Sequence, residues 1–219
     1  LTMWNIMDDE RYFCYGHAET DYLKERDPVL GDVIDRLGHL EWSVTPDTFR
    51  ALSYSIIGQQ ISTAAANSVW ARISERLDPL TAEHLAALDV EVIQGCGTSF
   101  RKATYVQGIA RRIVDGDLDL DRLAMLPDDE VRAQLVKLPG VGEWTAEMVM
   151  IFSLERPDVL SAGDAGIQRG LRMLYHHRAI TPKLFARYRH RYSPCASVAS
   201  LYLWEVAGGA LSDLRDYRR

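Results

Sequence analysis

In the run LPGVGEWTAEMVM, residues 138–150, Gly140, Val141 and Gly142 stand directly before an apolar helical stretch with Trp144 in its first turn. Glycine costs about 0.5–1 kcal/mol against alanine inside regular structure, so paired glycines mark a special backbone path or a close approach. A helix start also presents unpaired N–H donors at the positive end of its dipole, which suit an anion. The turn therefore reads as a grip for a phosphate group. Farther along, Ser161-Ala-Gly-Asp164-Ala-Gly166 sets one carboxylate among small residues just before another helix. Asp164 fits a helix N-cap, and a capping carboxylate still has charge to direct outward. Trp144 fits a core position as well as a flat π-face for a cationic ring. A phosphate grip, a fixed negative charge and an aromatic face are the chemistry on offer.

Positioning those groups falls almost entirely to helices. Leu30, Val33, Ile34 and Leu37 recur at i, i+3, i+4, i+7 within 28–40. Thr45 or Asp47 is placed to cap a helix carrying Phe49, Leu52, Ile56 and Ile57. Gly58-Gln59-Gln60 breaks it, and Ser62 or Thr63 restarts one with Ala66, Val69, Trp70, Ile73 and Leu77. Helices follow over 81–88, over 100–114, from Asp128 to Leu138, and from Trp144 through Phe152. Stretches 167–175, 182–191 and 196–207 complete about ten, far above the ordinary share of helix. The pattern predicts an all-α protein with two helical lobes and a cleft between them as the default ligand site. The whole of 1–219 is expected to form one catalytic unit, with one lobe over 80–175 and the other from 1–79 plus 176–219.

Composition narrows the class. With 219 residues, 47% hydrophobic and 26% charged, the chain has ample material for a core. No apolar run reaches the ~18–20 residues of a membrane helix, and the first residues lack the basic-then-apolar order of a secretory signal. Cys14, Cys96 and Cys195 lie far apart, which argues against a disulfide scaffold or a four-cysteine iron–sulfur cluster and suits a reducing cytosol. A net charge of −6 weighs against a broad basic nucleic-acid surface, yet leaves room for backbone amides and a few cations.

Helix over 131–138, Pro-Gly-Val-Gly turn and helix from Trp144 together resemble the helix–hairpin–helix DNA-binding element. That element followed by a glycine-rich stretch ending in aspartate resembles the DNA glycosylase superfamily, and within it the alkylbase branch, 3-methyladenine DNA glycosylase II and its yeast relatives. Ile57-Gly-Gln-Gln60-Ile-Ser62, Ser99-Phe-Arg-Lys102-Ala-Thr-Tyr105 and Tyr202-Leu-Trp204 add to the likeness, which runs from Pro28 to Gly208. The resemblance implies a monofunctional hydrolase of base excision repair, without lyase activity. It would flip alkylated bases, 3-methyladenine and related lesions, out of duplex DNA and hydrolyse the N-glycosidic bond.

By the same resemblance Asp164 is catalytic. Its carboxylate would stabilise the oxocarbenium-like sugar left as a cationic methylated purine departs, and would orient or deprotonate the attacking water. Gly163, Ala165 and Gly166 would let DNA come close. Trp144 stands where the lyase-competent branch, endonuclease III and 8-oxoguanine glycosylase, carries a nucleophilic lysine, so no Schiff base is available at that position. Trp144 and Trp204 would face the base, with Met148, Tyr202 and Ala196 completing the pocket. Gly140, Val141, Gly142, Gln59, Gln60, Lys102 and Arg169 would meet DNA, with Arg101 a further phosphate contact. The corner at 58–60 would supply the wedge that fills the gap left by the flipped base. Carbonyls of Val136, Leu138 and Val141 would hold a Na+ or K+ ion bridging to DNA, and no other cofactor is required.

Two departures from the family stand out. Only residues 1–40 occupy the place of the β-rich N-terminal domain of the alkylbase enzyme. Pro194-Cys195-Ala196 replaces an aromatic and an arginine, which predicts a wider pocket admitting bulkier lesions. The expected protein is a monomer acting on duplex DNA containing alkylated bases, without a membrane partner, in the cytoplasm and at the nucleoid if bacterial. Two other readings keep less of the pattern: a non-catalytic helix–hairpin–helix module that binds DNA without cleaving, and an all-α protein–protein adaptor. Asp164 separates enzyme from module, and the adaptor gives the Gly-Val-Gly turn no task.

Overall fold

The computed structural model describes residues 11–218, which are helical apart from connecting turns; among the described residues the one β feature is an isolated bridge between Tyr12 and Ser43. Two compact units divide the chain, Tyr12–Ser43 with Glu155–Arg219 and Val44–Leu154. The first unit begins with α1 (His17–Arg26) and α2 (Pro28–Leu37). The second holds α3 (Thr48–Gly58), α4 (Thr63–Arg76), α5 (Ala82–Ala87), α6 (Val90–Gln94), α7 (Phe100–Val114), α8 (Leu120–Ala124), α9 (Asp128–Leu135) and α10 (Glu143–Phe152). The first unit is completed by α11 (Ala165–Tyr175), α12 (Pro182–Tyr192) and α13 (Ala196–Gly208). Among the described residues no helix is long and apolar enough to cross a membrane.

These limits correct the lobes expected at 80 and 175. The apolar residues of α3, with Phe49, Leu52, Ile56 and Ile57 buried, pack on α4, α7 and α10, which draws residues 44–79 into the hairpin's unit. Helix α11 goes instead with α13. A β-carbon at Gly170 would collide with the backbone carbonyl of Leu203, so these two helices touch backbone to backbone. Three helices escaped the periodicity. Helix α1 buries only Thr20 and Leu23, and α6 and α8 have 5 residues each, too few for a 3.6-residue repeat to show.

Helix starts are set by side chains at the anticipated places. Asp47 accepts the Arg50 N–H at 3.0 Å, and Ser62 accepts the Ala65 N–H at 3.2 Å; each such cap contributes about 1 kcal/mol. Asp27, which opens α2, is buried. Its Oδ1 accepts the N–H groups of Val29 and Leu30, while its Oδ2 accepts the Tyr175 hydroxyl and an Arg191 N–H, both at 2.7 Å. The arginine supplies the countercharge a buried carboxylate needs. Asp27 thereby ties α2 to the C-terminal ends of α11 and α12, which steadies the far end of the helix that Asp164 begins.

Candidate functional site

In the first unit, Asp164 is the N-cap of α11. Its Oδ1 accepts the Ile167 N–H at 2.8 Å and the Trp204 indole N–H at 2.9 Å. Capping and charge placement are one arrangement here: the bond that starts the helix also fixes the carboxylate. Trp204, half-buried on α13, has its own second restraint. Its ring lies 5.4 Å from that of Trp42, tilted by 33°. A β-carbon at Gly166 would come within 2.7 Å of Trp204 Cδ1. Gly166 therefore makes room for the indole, whereas the sequence suggested it was small for the sake of DNA. Gly163 keeps that openness, since a β-carbon there would meet nothing within 4 Å.

Several expected pocket residues lie elsewhere. Ala196, Tyr202 and Met148 have 0% exposure, so none presents a surface. Tyr202 is two residues from Trp204 on α13 and so faces another side of the helix. Its hydroxyl donates to the Gly38 carbonyl at 2.8 Å and meets the Tyr15 hydroxyl at 3.3 Å. Burial pushes the Tyr202 phenol well above its ordinary range, which keeps it a neutral donor. Cys195 and Ala196 do not widen a pocket mouth, because both are buried at the start of α13. Arg169 is exposed and lies 3.9 Å from Asp216, a loose pairing that leaves it reachable.

In the second unit, the hairpin links α9 to α10. The Val141 N–H donates to the Leu138 carbonyl at 3.1 Å, closing the turn. Gly140 adopts φ +79°, and a β-carbon there would run into the Tyr105 ring. Both backbone and packing thus require glycine. Gly142 is different. It is the N-cap of α10, with no side-chain cap and nothing within 4 Å of a would-be β-carbon. The first turn of α10 therefore opens with backbone donors that no cap residue covers. Trp144 sits in that turn, half-exposed, and one turn later Met148 is closed off.

The corner at 58–60 divides its roles. Gln59 was expected at DNA, but its Nε2 donates to the Gly140 carbonyl at 2.7 Å and to Thr145 Oγ1 at 3.3 Å. Lys102 was expected at a phosphate, yet its ammonium donates to the Ile57 and Gln59 carbonyls at 2.8 and 2.6 Å. Those carbonyls end α3, where a cation suits the helix dipole, and burial lowers the lysine's pKa. Gln60 is left exposed with φ +59°, a conformation that costs a non-glycine residue about 1–3 kcal/mol and persists only where its surroundings enforce it. Gln59 and Lys102 are those surroundings. One strained residue projects from a corner bolted to the hairpin.

Residues 54–195 match the HhH-GPD superfamily of base excision DNA repair proteins. The chain belongs to that superfamily. Among curated proteins it is similar to DNA-3-methyladenine glycosylase 1 of Schizosaccharomyces pombe, 31% identical over 178 residues, covering 79% of this chain and 76% of that protein. It is also similar to DNA-3-methyladenine glycosylase 2 of Escherichia coli at 28% identity, covering 74% of this chain but only 58% of that relative. Among solved structures, a DNA-3-methyladenine glycosidase from Bacillus halodurans superposes with a TM-score of 0.83 at 33% identity, covering 94% of this chain and 97% of that one. The Schizosaccharomyces pombe 3-methyladenine DNA glycosylase in complex with abasic DNA gives 0.80 at 25% identity, covering 91% and 100%.

For an HhH-GPD protein, the residues missed by sequence reasoning are those acting through others. Trp42 lies in a short non-helical stretch with no periodicity, and its partner Trp204 is far along the chain. Gln59 lies at the expected corner, but its amide is engaged with the hairpin. Its neighbour Gln60 has the same side chain, and only the backbone conformation tells the clamp from the projecting residue.

Proposed function

We propose that this HhH-GPD protein is a DNA glycosylase that excises alkylated bases from duplex DNA in base excision repair. The observation that carries the reading is Asp164, a carboxylate locked at the start of α11 by one backbone and one indole N–H. Relatives named as DNA-3-methyladenine glycosylases support the substrate class, and a relative solved with abasic DNA supports the product.

In the proposed reaction the C1′–N bond of the flipped nucleotide breaks, and its electron pair leaves with the cationic base, which becomes neutral. Positive charge develops on the sugar, where the fixed negative charge of Asp164 stabilises it. Water then bonds to C1′ and its proton passes to the carboxylate and on to solvent. Trp144, with an indole where a lyase would need an amine, offers a ring face to the cationic base and no Schiff-base nucleophile, so excision ends at an abasic site. The uncapped start of α10 receives a DNA phosphate and Gln60 fills the vacated stack. A Na+ or K+ ion would be held by the carbonyls of Val136, Leu138 and Val141. The Leu138 oxygen already accepts one N–H and keeps a second lone pair, and hard carbonyl oxygens suit such a cation. It would supply positive charge for a phosphate.

Methylated duplex DNA tests this directly. Expected are free 3-methyladenine and a strand that breaks only after alkali. DNA binding without base release would leave a non-catalytic module, and borohydride trapping of a covalent adduct would refute the monofunctional assignment.

A further inference from the structure

The geometry points to a second phosphate site on the first unit, where Arg178 and Arg218 hold a DNA backbone phosphodiester beside the start of α11. A cavity of about 360 Å³ lies there, with Ala165, Gln168, Arg172, Arg178, Ile180 and Arg218 in its walls. Arg172 is buried and fully committed: its Nε and Nη2 donate to the two carboxylate oxygens of Asp216 at 2.8 and 2.7 Å. The same carboxylate accepts the Arg218 backbone N–H at 3.1 Å, which sets the path of the C-terminal segment across this face. Arg172 in turn holds the Asp216 carboxyl down at about 2, so it stays ionised and the pair stays locked.

Arg178 and Arg218 are exposed, and among the described residues neither has an ion-pair partner. Three arginines therefore line one cavity, two of them without a carboxylate partner among the described residues, in a chain whose net charge is −6. Such a cavity calls for an anion, and paired guanidinium groups suit phosphate. Its walls carry no aromatic ring, so nothing there stacks on a base, and a backbone phosphate fits better than a nucleotide. Ala165 is the immediate neighbour of Asp164, which assigns the phosphate to the strand near the excised base. The site gives this acidic chain a local positive region that the hairpin amides do not provide.

The inference rests on the glycosylase reading, and salt dependence separates the two. Affinity for an abasic-site duplex is measured from low to moderate salt for the wild-type protein, for Arg178→Gln with Arg218→Gln, and for the corresponding double lysine variant. One lost phosphate contact makes the slope of log K against log salt shallower by about 0.9. The glutamine pair should show that shift, weaken undamaged duplex alike, and keep the wild-type melting temperature, since both side chains are exposed; the lysine pair should restore the slope. An unchanged slope would overturn the site. Inorganic phosphate titrated without DNA checks the other source: sub-millimolar binding with an unaltered DNA slope would make this a small-anion site and also overturn the inference. If the wild-type protein binds duplex but releases no base, the glycosylase reading fails while the slope still reports on the site.

Discussion

Helices α10 and α11 both begin at glycine-containing turns, yet they treat their first turns in opposite ways. At α11 a carboxylate fills the N-cap, taking the Ile167 N–H and the Trp204 indole N–H. At α10 the N-cap is Gly142, with no side-chain cap and open space around it. One start is satisfied from within and ends up as a fixed negative charge. The other has no side chain of its own to close it. The same backbone feature thus becomes either a fixed negative charge or a start without a side-chain cap, and the choice lies in a single side chain.

Exchanging those properties tests the contrast. Asp164→Asn keeps the size and much of the capping capacity but removes the charge. Single-turnover base release should fall by about 10²–10⁴-fold, while abasic-DNA binding stays near wild type. Near-normal release would show the carboxylate to be a cap and nothing more. Gly142→Asp makes the converse change. Aspartate is a better N-cap than glycine by a few tenths of a kcal/mol, and the backbone at 142, φ −95° and ψ 177°, already suits a cap. The variant should therefore melt slightly higher and bind every duplex more weakly, by roughly tenfold, a trade a merely damaged fold cannot produce. Unchanged binding would make the open helix start incidental. The smallest effect is expected at Gln59→Ala, which unbolts the 58–60 corner from the Gly140 carbonyl. Fluorescence of 2-aminopurine beside a lesion should report several-fold less flipping at saturating protein, with binding altered less. Equal losses in both would make Gln59 a general stabiliser.

Legibility followed the range of the interaction. Caps, apolar repeats and the hairpin are local, and Asp47, Ser62, Asp164 and the Gly140–Gly142 turn could be read from neighbours in the chain. The unit boundaries could not, because they depend on which helices α3 and α11 choose as partners. Ala196 and Tyr202 were misread for a related reason: their motif is correct, but which side of α13 reaches the surface is set by packing on α11 and α2. Lys102 shows the limit most clearly. A lysine near a loop looks like a phosphate contact until its two carbonyl acceptors, far off in sequence, are seen.

The contact at Gly170 has a consequence for how the protein opens. Because α11 meets α13 with backbone against backbone at Gly170, no side chain separates them at that point to loosen by small steps. Solvent gains entry only when the helices part. Amide protons in that pair should exchange at the rate of whole-unit opening, whereas those of α1, with two buried residues, exchange through local fraying. Asp164 and Trp204, one on each of the joined helices, thus keep their mutual geometry through the thermal fluctuations that ripple the rest of the surface.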